Sequence, residues 1–143
     1  MTDSAGAPSG APVAASQPGV EALIDAYCLA WHHPDPAERR SLIEAALEPD
    51  CLYEDPTARV EGSEALLTHI GALLAKRPGF ALERLGRADA HHDMLRFGWR
   101  MRLADGRTGP DCVDFCRLSM NGKLALVVGF FGPLPSDQDR SAG

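Results

Sequence analysis

Between residues 17 and 33, Val20, Leu23, Ile24, Tyr27, Ala30 and Trp31 recur at helical spacing, which predicts a helix with one buried stripe that includes Tyr27. His33-Pro34-Asp35-Pro36 stops that helix and starts a second, with Asp35 as N-cap and Pro36 at the first helical position. The second helix runs to about Leu47 and turns Leu42, Ile43, Ala46 and Leu47 inward. Gly62-Ser63 opens a third, with Leu66, Leu67, Ile70, Leu73 and Leu74 on its inner side up to Arg77, and Pro78-Gly79 ends it. From Phe80 onward the pattern changes to strands over about 80–90, 93–104, 107–119 and 123–132, separated by His91-His92-Asp93, Asp105-Gly106 and Asn121-Gly122. A short strand, Leu52-Tyr53-Glu54, precedes Asp55. The prediction is an α+β domain over residues 17–133: three N-terminal helices packed on a curved antiparallel sheet that encloses a cavity at its open end. Residues 1–16, poor in apolar side chains, are expected to be a disordered tail, and 134–143 a flexible one.

Two acids break this pattern. Asp55 precedes Pro56, which disfavours the α region for its predecessor, so Asp55 is expected extended at a strand exit. That makes it either a positioned acid or a plain turn cap. Strand alternation puts Cys112, Asp114, Cys116 and Leu118 on one face, so Asp114 stands in an apolar row. A carboxylate there has a partner, takes up a proton, or lies on an edge strand in solvent. Phe97, Trp99, Met101 and Leu103 are the expected cavity wall on the neighbouring strand. Both rows of the last strand, Val127, Gly129, Phe131 and Leu126, Val128, Phe130, are apolar, which points to a homodimer across the outer sheet face.

Composition narrows the partners. With 143 residues, 45% of them hydrophobic, there is one domain with a real core. Fourteen basic against 20 acidic residues, with no basic stripe, argue against nucleic acid and anionic membrane surfaces. No apolar run approaches a membrane span and no secretory signal opens the chain, so a cytoplasmic protein is expected. Cys28, Cys51, Cys112 and Cys116 form no C-x-x-C pair and are expected as reduced core residues. The pairs His32-His33 and His91-His92 lack metal-ligand spacing, and His69 lies beside the stripe of the third helix as a structural residue, so no metal is expected.

The order of elements, the Tyr53-Glu54-Asp55-Pro56 turn, Gly62-Ser63-Glu64, Val113-Asp114-Phe115 and Gly129-Phe130-Phe131-Gly132 resemble the nuclear transport factor 2-like superfamily, over residues 18 to 133. More narrowly the chain resembles SnoaL-like proteins and the ketosteroid isomerases. The resemblance implies a cystatin-like cone. It also implies an isomerase in which Asp55 moves the proton while Tyr27 and a protonated Asp114 hold the substrate oxygen, with no cofactor. An apolar, ring-bearing carbonyl compound would then lie against Trp31, Tyr53, Phe97, Trp99, Met101, Cys116 and Phe131. SnoaL-like cyclases resemble the chain in the same outline, with Asp114 as acid/base and Asp55 as support. A non-catalytic ligand-binding or dimerisation module is the alternative of another class.

Overall fold

A computed structural model describes residues 17–137. The expected disordered tail, 1–16, and the part of the expected flexible tail beyond 137 lie outside the described residues. The elements in chain order are α1 (Gln17–Ala30), α2 (Pro36–Ala46), β1 (Leu47–Asp55), β2 (Ala58–Glu61), α3 (Ser63–Lys76), β3 (Ala81–His91), β4 (Met94–Arg102), β5 (Cys112–Leu118) and β6 (Leu124–Phe130). They form one six-stranded sheet in the order β2-β1-β6-β5-β4-β3, with the helices on its concave side.

Local chemistry sets the helix ends. The Asp35 carboxylate accepts from the Glu38 amide, and Pro36 opens α2, so the two prolines turn the chain without a lost hydrogen bond. The histidines of this corner are occupied: His32 Nδ1 accepts from the Leu82 amide at 3.2 Å, and His33 Nδ1 from the Asp35 amide at 3.1 Å. Burial, with His33 and Arg102 close by, lowers the His32 pKa, which keeps that ring a neutral acceptor. On the opposite side of α1, Arg84 of β3 reaches both Glu21 and Asp25 at 2.7 Å, and Glu21 also accepts from the Ala88 amide. These ties fix the rotation of α1, and with it the direction of Tyr27.

β3 to β6 form the expected antiparallel meander, but the sheet is not wholly antiparallel: β1 pairs in parallel with β6. A parallel neighbour needs a crossover, and here α3 and the meander together are that connection. Two further differences concern strand ends. Ala58–Glu61 folds back on β1 as a short hairpin strand. The third long strand starts at Cys112 rather than near 107, because Thr108-Gly109-Pro110 leaves only a single bridge, Arg102 to Thr108, in that stretch. The core lies between α1, α2 and the concave face, around Ile24, Ile43, Leu47, Ile70, Leu124 and Val127. All four cysteines are buried and unpaired, and Cys28, Cys51 and Cys116 lie within it. No helix among the described residues is long and apolar enough to cross a membrane.

Candidate active site

A cavity of about 300 Å³ opens where α1, α3 and the concave face diverge. Its floor and one wall come from a row of residues across three strands. Asp114 of β5 lies opposite Gly129 of β6, and since Glu54 of β1 is aligned with Val128, the next position, Asp55, falls beside Gly129 as well. Gly129 is what lets the two acids approach. A Cβ at that position would lie 2.8 Å from Asp114 Oδ1 and 3.5 Å from Asp55 Cβ.

The two acids are held differently. Asp55 Oδ1 accepts from the Thr57 amide and the Thr57 hydroxyl, both at 2.7 Å, and its Oδ2 accepts from the Tyr53 hydroxyl. Asp55 therefore caps its turn and also lines the cavity, so both readings of the Asp-Pro sequence hold. Three donors occupy a carboxylate with about four lone-pair positions, leaving roughly one for another group. Asp114 is 6% exposed on a strand with neighbours on both sides, and it has no arginine partner among the described residues. Trp99 Nε1 donates to its Oδ1 at 2.9 Å. Burial pushes the Asp114 pKa up to about 7; the Trp99 hydrogen bond opposes this and the nearby Asp55 charge adds to it. Oδ2 is left without a donor, as a protonated carboxyl would have it.

Above the acids the walls are aromatic. Trp31 packs on Tyr53 at 5.3 Å between ring centroids and on His69 at 6.0 Å, and Trp99 meets Phe131 edge to face at 6.0 Å. Tyr27 and Trp31 sit on the α1 side, and here polar chemistry is left open. Tyr27 Oη and Trp31 Nε1 are buried near each other, and neither makes a hydrogen bond of good geometry among the described residues. Burial, with the Asp114 charge adding to it, raises the Tyr27 pKa, so the phenol keeps its proton and remains a donor. A buried donor left unpaired costs about 1–3 kcal/mol, which an incoming acceptor would recover.

Of the residues expected here, Tyr27, Trp31, Tyr53, Asp55, Trp99, Met101, Asp114 and Phe131 meet at this cavity. Phe97 and Cys116 do not line it. Both face the concave side as alternation requires, but α1 covers that part of the sheet, and Phe97 packs edge-on against Tyr27 under the Arg84 guanidinium. Thr57, His69, Leu73, Arg77 and Leu82 complete the wall. His69, Leu73 and Arg77 recur every four residues, one helix face; that spacing was open to view in the sequence, next to the leucine stripe that masked it. No cluster of three or more metal-ligating side chains occurs among the described residues.

No protein-family model matches the chain, and no curated protein matches it by sequence. Solved structures do. A candidate isomerase of the SnoaL-like family from Agrobacterium tumefaciens is 29% identical, with a TM-score of 0.76 over 81% of this chain and 99% of that one. The chain is similar to SnoaL-like proteins and carries the fold of the nuclear transport factor 2-like superfamily. More distant likenesses carry the fold alone. A candidate polyketide cyclase from Sinorhizobium meliloti is 16% identical, with a TM-score of 0.60 over 78% of this chain and 97% of its own. A ketosteroid isomerase-like protein from Catenulispora acidiphila, solved with trimethylamine, is 12% identical, with a TM-score of 0.62 over 77% and 85%. The chain thus shares one cone with neighbours described both as isomerase and as cyclase.

Proposed function

We propose that this SnoaL-like protein is a cofactor-independent isomerase that binds an apolar, ring-bearing carbonyl compound and moves a proton at a carbon beside the carbonyl. The observation that carries this reading is the set of groups at one apolar cavity: an acid with a free lone pair, a buried acid whose pKa burial raises to about 7, and buried donors without a well-formed hydrogen bond. The Asp55 carboxylate takes the proton from carbon. The electron pair moves onto the carbonyl oxygen, where the Tyr27 hydroxyl and the protonated Asp114 donate hydrogen bonds to the developing charge. Asp55 then returns the same proton to the far carbon of the conjugated system, so the step balances without oxidant, reductant or metal. Trp31, Tyr53, Trp99, Met101 and Phe131 exclude water and fit flat apolar rings.

Turnover of a β,γ-unsaturated ketosteroid, followed as conjugated-enone absorbance, tests it. Asp55→Asn and Asp114→Ala should each lower the rate about a hundredfold or more. Wild-type protein that binds the steroid without converting it would discard the isomerase. One observation favours a cyclase in that event: Asp55 is already held by Tyr53 and Thr57, which suits a supporting residue beside an acid/base Asp114.

A second copy of the chain on the outer sheet face is part of the proposal. Phe115 and Phe130 stand there 38% and 56% exposed, in edge-to-face contact at 5.9 Å, with Val113 and Val128 beside them. Sedimentation equilibrium should give twice the chain mass, and a monomer at micromolar concentration would remove the dimer from the account. The four unpaired cysteines support a reducing, cytoplasmic setting.

A further inference from the structure

We infer that the substrate carries an anionic group, a carboxylate by preference, at the end remote from its carbonyl, and that Arg77 is the residue that selects for it. The inference rests on the proposed reading only for orientation, carbonyl inward.

Arg77 lines the rim of the acid-bearing cavity and, with Trp99, Met101 and Phe131, is shared with a second cavity of about 340 Å³ that continues outward from it. The outer chamber is otherwise walled by Leu103, Arg107, Pro110 and Cys112 and their neighbours, with no Asp or Glu on its lining. In a chain of net charge −6, that chamber is a local positive site. Its two arginines differ. Arg107 is paired with Asp105 at 2.7 Å, whereas the Arg77 side chain takes no ion pair or hydrogen bond among the described residues. Most arginines of the described chain are engaged, those on β4 among them, with Asp89 and Glu83. An unengaged guanidinium at the lip of an apolar cleft has its five N–H groups free for a planar oxyanion.

The charge order fixes the direction of the ligand. The inner chamber holds the Asp55 carboxylate, so an anion is repelled from it and attracted to the rim, while the buried donors there attract a neutral oxygen. A ligand with a neutral carbonyl at the deep end and a carboxylate at the rim meets complementary groups at both ends.

The test uses 3-oxo-4-androstene-17β-carboxylate and its methyl ester, with dissociation constants from tryptophan quenching. The wild type should bind the acid about fivefold more tightly than the ester at low salt, as one exposed ion pair allows. Arg77→Gln should bring the ratio near one, Arg77→Lys should restore part of it, and added salt should diminish it. Equal affinity of the wild type for acid and ester, failure to bind the acid, or a preference that survives in Arg77→Gln would overturn the assignment. Acid preference without steroid turnover would sink the proton-transfer reading alone, and turnover without acid preference would sink this one alone.

Discussion

At the scale of single residues, one substitution of environment separates two chemically identical side chains. Asp55 keeps contact with solvent and three donors, whereas Asp114 lies in apolar surroundings with one. Linkage gives the second a signature in stability. The folded-state pKa of Asp114 is raised from 3.8 to about 7, so the folded protein binds its proton more tightly than the unfolded chain. That contribution is complete below pH 3.8 and is lost as pH rises through 7, by up to about 4 kcal/mol. Denaturant midpoints measured from pH 5 to pH 9 should therefore fall more in the wild type than in Asp114→Asn; parallel curves would mean that Asp114 is ionised throughout. Asp114 was legible in the sequence because a two-residue period exposes any polar member of an apolar row. Arg77 was legible only as the four-residue continuation of His69 and Leu73, a spacing that the leucine stripe of α3 masked.

At the scale of elements, the site is a junction of three strands and a helix. The row Asp55, Gly129, Asp114 depends on the parallel register of β1 on β6, which places a turn acid beside a strand acid far away in the chain. Gly129→Ala tests that junction: its Cβ would push on the Asp114 carboxylate, and ketosteroid turnover should fall at least tenfold with the protein still folded, as a shift of about 1 Å at a site can cost more than that. Undiminished turnover would show that Asp114 need not occupy its observed position. The helices were readable from their stripes and caps. The β2 strand was not, being four residues with charged Arg59 and Glu61 on it. Phe97 shows the limit of alternation: period two assigns a face, but only the docking of α1 decides which part of that face stays open.

At the scale of the whole molecule, the helices close the concave face except at one end, and the opening exposes aromatic walls, two acids and two buried donors to the same volume. The fold leaves the reaction open, as neighbours described as isomerase and cyclase share it. The arrangement of groups is what argues for proton transfer at carbon. Deuterium exchange at the α-carbons of 2-decalone in D₂O, followed by proton NMR, measures that step without requiring the natural substrate. The account predicts exchange well above the buffer rate with wild-type protein, reduced about a hundredfold in Asp55→Asn and clearly in Tyr27→Phe. Exchange no faster than in buffer while the ketone is bound, or exchange that persists in Asp55→Asn, would contradict it.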